Sequence, residues 1–145
     1  MSDPAASVRG MGIELINPAG LLTPQGYTHV AVASGSRTIY VAGQVAQDAD
    51  GNVVGAGDLA AQTAQAFRNV ATALAGAGAT FADVARTTFY VADWSPEKIG
   101  PLFEGFGRVA AELGIAQPGP TTLIGVAALA APDLLIEVEV TAVVD

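Results

Sequence analysis

Two glutamates near the C-terminal end, Glu137 and Glu139, are the clearest candidates for chemistry; they lie in the stretch LLIEVEVTAV, 134–143. They alternate with apolar residues, and this pattern predicts a β-strand with both carboxylates on one face, about 6.5 Å apart. A carboxylate placed in this way can orient a water molecule or accept a proton from it. The same pattern is also typical of glutamates that face solvent or a protein interface, and we favour that interpretation for Glu139.

A second pair of candidates, Tyr27 and His29, falls on one face of another predicted strand. Tyr27 could line a pocket and offer a hydroxyl donor, and His29 could add a hydrogen-bonding group nearby. The chain has no cysteine, so thiol catalysis and a thiolate metal site are excluded; His29 is the only histidine, and a serine triad is not credible without a second candidate. No partner ligands for a metal at His29 are evident, and we favour a structural role for it.

The composition limits the partners that the protein could bind. Among 145 residues the net charge is −8, and the six basic residues are scattered, which disfavours binding to nucleic acid. Only 14% of the residues are charged, which suggests that part of the surface is buried against copies of the same chain. The uncharged run 113–132 has an apolar part too short to span a membrane, and the first ten residues do not resemble a signal peptide. We therefore expect a cytoplasmic protein.

The order of predicted elements is β-β-α-β-α-β-β, which indicates an α+β fold with two helices on one face of a sheet. A strand pair covers 27–46 with a turn at 34–36, and a helix over 59–75 begins after the capping residue Asp58. A strand at 84–92, a helix at 101–113 and strands at 121–129 and 134–143 complete the pattern. We expect a single domain over 1–145, with 1–16 as an N-terminal extension or an edge strand.

Several stretches in this order resemble the reactive intermediate deaminase family (RidA, also called YjgF). The resemblance runs from about residue 17 to residue 144 and rests on the combination, since no piece is decisive alone. The stretches are GYTHVAV (26–32), IYVAGQVAQDADGNVVG (39–55), DLAAQTAQAFRNVATALAGAGA (58–79), DVARTTFYVAD (83–93) and LLIEVEVTAV (134–143).

The resemblance implies a chorismate-mutase-like fold and a homotrimer whose mixed sheets form a central β-barrel. It also implies a small-molecule cleft between each pair of subunits, with no metal and no organic cofactor. The best-known activity of the family is hydrolysis of reactive imines and enamines, in which Glu137 would be the catalytic residue that positions water. The substrate-binding positions that the resemblance assigns are Tyr27, His29, Ala42, Gly43, Gln44, Pro120, Thr121 and Thr122.

One departure from the family pattern concerns the residue that binds the substrate carboxylate. Active members hold the substrate carboxylate with an arginine in a Pro-x-Arg-Ser/Thr motif, a task that suits a bidentate guanidinium. Here the stretch 118–122 reads PGPTT, so Pro120 stands at the arginine position, and Ala42 stands where the family has a serine. We therefore expect weak or no activity on simple 2-imino acids, and a preference for neutral or amine-bearing ligands.

Three functions remain open from the sequence. The protein is an imine or enamine hydrolase or tautomerase, a non-catalytic regulatory or chaperone-like trimer, or a tailoring enzyme of a specialised pathway. Arg37 or Arg86 of a neighbouring subunit could replace the missing arginine in space. In that case the expected preference against carboxylates would not hold.

Overall fold

The computed structural model of the chain describes residues 5–9, as backbone alone, and residues 12–145. It contains seven strands, two α-helices and two short 3₁₀ helices, at Phe81–Asp83 and Pro96–Lys98. The strands are β1 (Ala5–Arg9), β2 (Ile13–Pro18), β3 (Val30–Ala33), β4 (Arg37–Val45), β5 (Val84–Ala92), β6 (Thr121–Val126) and β7 (Ile136–Val144). The helices are α1 (Leu59–Gly76) and α2 (Ile99–Ala110). Neither helix, nor any other within the described residues, is long and apolar enough to cross a membrane.

The main sheet has four strands in the order β4-β7-β5-β6. β6 runs parallel to β5 and the other pairs are antiparallel, so the sheet is mixed. Both helices pack on one face of this sheet, where Phe67 of α1 and Leu102 of α2 join the same buried core. The α+β class with two helices on one face of a mixed sheet is thus confirmed.

The predicted pairing of the two strands over 27–46 is wrong. β3 does not pair with β4; it joins β2 and β1 in a separate antiparallel sheet of three strands. β6 and β7 are not neighbours either, because α2 carries the chain across the sheet and returns it parallel to β5, at the edge. β7 lies instead between β4 and β5. Its inward side chains, Ile136, Val138, Val140 and Ala142, are at most 3% exposed, as a central strand requires.

The bounds of the helices follow from local chemistry. Asp58 caps α1 as predicted: its side chain accepts a hydrogen bond from the backbone N–H of Ala61 at 3.0 Å. α2 begins two residues before the predicted start. Pro101 therefore lies in its first turn, where the missing N–H of proline leaves no hydrogen bond unmade.

A buried glutamine ties α1 to two loops that the sequence analysis did not connect. Gln62 is fully buried; its amide nitrogen donates to the carbonyls of Gly55, at 3.1 Å, and Asp133, at 2.9 Å. Its amide oxygen accepts from the backbone N–H of Leu135 at 2.9 Å. All three contacts satisfy backbone groups next to α1 or next to β7, so a polar side chain in the core stabilises both connections.

The two helices approach closely at Gly105 of α2. A Cβ atom built on Gly105 would overlap the carbonyl oxygen of Ala60 and lie 2.7 Å from Cβ of Thr63. A side chain at this position would therefore force α1 and α2 apart. Gly107, two residues later on the same helix, has no atom within 4 Å of its built Cβ.

These two glycines give a matched pair of variants. We predict that Gly105→Ala lowers the free energy of unfolding by about 1–3 kcal/mol, because overpacking outweighs the better helix propensity of alanine. We predict that Gly107→Ala raises it by about 0.5–1 kcal/mol, since only propensity changes. Urea denaturation at one fixed protein concentration measures both, and equal effects of the two substitutions would contradict the packing of α2 on α1.

Candidate functional site

A bulge in β4 holds the stretch Ala42-Gly43-Gln44. Val41 pairs with Val140 of β7 but Gln44 pairs with Val138, so β4 carries one residue more than its partner strand over this interval. Within the bulge the amide nitrogen of Gln44 donates to the carbonyl of Ala42 at 3.1 Å. The bulge turns three of the predicted site positions into one compact unit.

Glu137 lies directly over this bulge. The carboxylate of Glu137 occupies the space that a side chain at position 43 would need, and a Cβ built on Gly43 would also come within 2.7 Å of its Cγ. Glu137 is half-buried, and no side chain within residues 12–145 donates a hydrogen bond to it. The predicted catalytic residue and the predicted binding residue Gly43 are therefore in contact. The glycine is required because it alone leaves room for the carboxylate.

Asn69 of α1, which the sequence analysis did not single out, fixes the end of β4 beside this bulge. Its amide nitrogen donates to the carbonyls of Val45, at 2.8 Å, and Gln47, at 2.9 Å. Its amide oxygen accepts from Gln65 at 2.9 Å. Asn69 and Gln65 lie in the AQTAQAFRNV stretch that resembles the family, and this network shows what two of its polar residues do.

Glu139 has a partner on the neighbouring strand. The hydroxyl of Tyr90 on β5 donates to Oε1 of Glu139 at 2.7 Å. This hydrogen bond, followed by partial burial and the negative charges of Glu139 and Glu137, raises the pKa of the Tyr90 hydroxyl. Glu139 thus anchors Tyr90 on the sheet face opposite the helices, which agrees with the structural interpretation of this glutamate.

The loop that precedes β6 is fastened to the segment before β3. Thr28 is 1% exposed; its hydroxyl donates to the carbonyl of Pro118 at 2.6 Å, and its backbone N–H donates to the carbonyl of Gly119 at 3.2 Å. The amide nitrogen of Gln117 donates to the Thr28 hydroxyl at 3.2 Å. Thr28 was not predicted as a site residue, although it lies between the two residues, Tyr27 and His29, that were.

The same loop is fastened to β5 and β6 at its other end. The backbone N–H of Thr87 donates to the carbonyl of Pro120 at 2.9 Å, and the hydroxyl of Thr121 donates to the carbonyl of Gly119 at 3.0 Å. Each carbonyl from Pro118 to Pro120 therefore accepts a hydrogen bond, and neither proline has an N–H to donate. At position 120 the loop offers a ligand an apolar ring.

Tyr27 and His29 lie beside this loop, and their rings pack edge to face with centroids 5.2 Å apart. Nε2 of His29 donates to the carbonyl of Leu22 at 2.6 Å, and its backbone N–H donates to Oδ1 of Asn17 at 2.9 Å. These contacts fix the segment 17–29, which is the structural role favoured for His29. Within residues 12–145, no group of three or more acidic, histidine or cysteine side chains is arranged to hold a metal ion.

The two arginines considered as replacements have different surroundings. Arg37 donates twice to the backbone carbonyl of Asp145, at 2.8 and 3.1 Å, and so holds the C-terminal residue. Arg86 lies on the sheet face opposite the helices, and its guanidinium donates to the hydroxyl of Thr122 at 3.2 Å. The positive charge of Arg86 therefore lies beside Thr122, which follows Pro120 by two positions, on the outward face of the sheet.

The predicted site residues form two groups in a single chain. One group is the β4 bulge with Glu137 on β7; the other is the loop 118–120 with Tyr27, Thr121 and Thr122. β5 separates β7 from β6 in the sheet, and no side-chain hydrogen bond among residues 12–145 joins the groups. A single chain therefore keeps these two groups of predicted site residues apart.

Comparison with known proteins identifies the family of the chain. A family model described as Endoribonuclease L-PSP matches residues 20–144. The Rid-family protein YyfB of Yersinia pestis is 40% identical; the match covers 92% of this chain and all of that one, with a TM-score of 0.82. The chain belongs to the RidA (YjgF) family.

Two further RidA-family structures show the same fold at lower similarity. A member of the YjgF/YER057c/UK114 family from Mycobacterium tuberculosis is 37% identical over 82% of this chain and 87% of that one, with a TM-score of 0.57. The YjgF gene product of E. coli is 28% identical over 74% of this chain and 81% of that one, with a TM-score of 0.64. The family assignment that the sequence motifs suggested is thus confirmed.

The hydrogen bond between Tyr90 and Glu139 predicts how the pKa of the Tyr90 hydroxyl changes when the acceptor is replaced. Glu139→Gln removes the charged acceptor, so we expect the pKa of Tyr90 to move down toward the usual value of about 10. Because the pKa is raised in the folded protein, the contribution of this hydrogen bond to stability is complete below about pH 10. It is lost as the pH rises from there through the raised pKa. Tyrosinate absorbance measures the shift, and Tyr90→Phe identifies the transition; an unmoved transition in Glu139→Gln would show that the bond does not form.

Proposed function

We propose that this RidA-family chain is a cytoplasmic homotrimer that binds a small molecule in clefts between its subunits. Glu137 orients a water molecule there for hydrolysis or tautomerisation of an imine- or enamine-type intermediate. Activity on simple 2-imino acids is weak or absent. The observation that carries this proposal is the half-buried Glu137 carboxylate over Gly43, because such chemistry needs a carboxylate with free lone pairs beside an open backbone.

The substrate preference follows from the loop before β6. Its three carbonyls already accept hydrogen bonds, and Pro120 supplies neither a charge nor a donor. A carboxylate placed against this loop would lose hydration without gaining a bidentate partner. Losing such a contact in a partly buried site costs roughly 2–5 kcal/mol of binding. A neutral or amine-bearing ligand avoids that cost and suits a cleft that contains Glu137.

In this proposal, assembly brings the Glu137 group of one subunit together with the loop group of a neighbouring subunit. The family is generally oligomeric, and the sheet face opposite the helices exposes apolar side chains in a single chain. Tyr40 is 80% exposed on that face, and Ile124, which pairs with Tyr90, is 40% exposed. Burial of this face against two further copies would cover those side chains. β5 would no longer keep the two groups of site residues apart, because the groups would come from different chains.

RNA cleavage is not the function that we propose, although the description of the matching family names an endoribonuclease. A chain of net charge −8 repels a polyphosphate backbone, and its arginines are engaged singly, by Asp145, Thr122, Glu112 and Glu104 where residues 12–145 show their partners. Without a basic stripe, phosphate contacts would be few.

A panel of small molecules sorted by charge tests the proposal. We expect neutral and amine-bearing imine or enamine analogues to raise the melting temperature, and carboxylates of the same size to raise it less. Freshly generated iminopropanoate and iminobutanoate should be hydrolysed slowly relative to an arginine-bearing family member. Gly43→Ala should abolish ligand stabilisation because its methyl group displaces Glu137, and Glu137→Gln should abolish turnover while binding persists.

Arg86→Gln provides the control for the alternative cation. If carboxylates bind best and lose that advantage in Arg86→Gln, then Arg86 replaces the loop arginine and the proposed preference is wrong. If Glu137→Gln leaves any measured turnover unchanged, the catalytic role of Glu137 is wrong. Ligand binding without turnover of any panel member would support the non-catalytic regulatory trimer instead.

A further inference from the structure

A cavity of about 210 Å³ lies inside the single chain, between the two helices, the sheet and the loop 114–119. It lies on the helix side of the sheet, away from Glu137 and the β4 bulge. Several of its lining residues near the surface are exposed, among them Ala82 and Ala116, so the cavity opens to solvent there. It shares Pro118, Gly119 and Thr121 with the loop group of predicted site residues, whereas no residue of the group around Glu137 lines it.

Five phenylalanines contribute to the walls of the cavity. Phe67 packs against Phe81, Phe89 and Phe106, with ring centroids 5.8, 5.6 and 5.1 Å apart, and all four rings line the space. Phe103, 45% exposed, lies at the opening against Gly26, where a built Cβ would be 2.8 Å from its ring. Such a lining binds flat apolar molecules through edge and face contacts.

One polar group inside the cavity has no partner in the protein. Thr87 is 9% exposed and lines the cavity, and its hydroxyl makes no hydrogen bond within residues 12–145. Its backbone N–H is already used by Pro120. Among the described residues no fully buried side-chain oxygen or nitrogen lacks a partner, so this hydroxyl is accessible from the cavity and can pair with a ligand or a water there. No lining residue carries a charge, so an ionised ligand would be buried without compensation.

We propose that this cavity binds a small neutral ring compound with one hydroxyl or N–H group, the size of phenol or indole. An apolar cavity of about 150 Å³ in another protein is large enough for benzene, and this one is somewhat larger. The ring lies among the phenylalanines, and its polar group pairs with the hydroxyl of Thr87. The site shares the loop 118–120 with the cleft, but neither Glu137 nor the β4 bulge lines it.

Calorimetric titration of the full-length protein with phenol, indole, benzene and benzoate tests the proposal. We expect saturable binding of the three neutral compounds at one site per chain, and binding of benzoate at least tenfold weaker. Thr87→Val keeps the shape of the side chain and removes the hydroxyl. It should weaken the binding of phenol and indole by about three- to tenfold and leave the binding of benzene unchanged. Equal effects on all three compounds would rule out the pairing with Thr87.

A cavity-filling variant locates the binding. A Cβ built on Gly119 lies 3.6 Å from Leu15 and 3.8 Å from the carbonyl of Val84, two lining residues, so Gly119→Leu places its side chain in the cavity. It should weaken the binding of all three compounds more than tenfold. Gly107→Leu, which adds the same side chain on the open surface of α2, should not weaken their binding. Binding must also survive in Gly43→Ala, which disables only the cleft. Absence of saturable binding by all three neutral compounds, or unchanged binding in Gly119→Leu, overturns the proposal.

Discussion

The hydrogen bonding of the loop 118–120 is the constraint on which the rest of the structure depends. Thr28, Thr87 and Thr121 together occupy its three carbonyl groups, and thereby join the segment before β3 to both β5 and β6. The helix-side cavity shares this loop as a wall, and Pro120 within the loop carries neither a charge nor an N–H donor. A loop held at each carbonyl has little freedom to rearrange. The uncharged ring of Pro120 therefore keeps its position in the site.

The second constraint is the close approach of β7 to the bulge of β4. Glu137 can lie over the bulge only because position 43 is glycine, and the bulge ends at a backbone segment that Asn69 holds from α1. α1 therefore fixes the backbone at the end of β4, beside the bulge that Glu137 covers. This coupling explains why polar residues occur in the otherwise apolar inner face of α1, where Gln62 performs a similar task for the loops beside β7.

Much of the fold could be predicted because local patterns determine it. β5 has the bounds that its alternation predicted, and α1 begins at the capping residue Asp58. The pairing of strands could not be predicted in the same way, since it depends on where a crossover returns the chain, and the placement of β7 between β4 and β5 brings together residues nearly a hundred positions apart. The site was only partly visible for the same reason: the motif stretches identified Glu137 and Gly43, whereas the anchoring roles of Thr28 and Asn69 are contacts between distant segments.

The most direct test of this account restores a cation to the fixed loop. Pro120→Arg should raise the affinity for small carboxylates, and the rate of 2-imino acid hydrolysis, by at least tenfold, since it supplies a charge within a loop whose backbone is already fixed. Pro118→Arg, which places the same side chain two residues earlier, should not have this effect. If Pro120→Arg gains nothing while remaining folded and assembled like the parent, the missing arginine does not determine what the cleft binds.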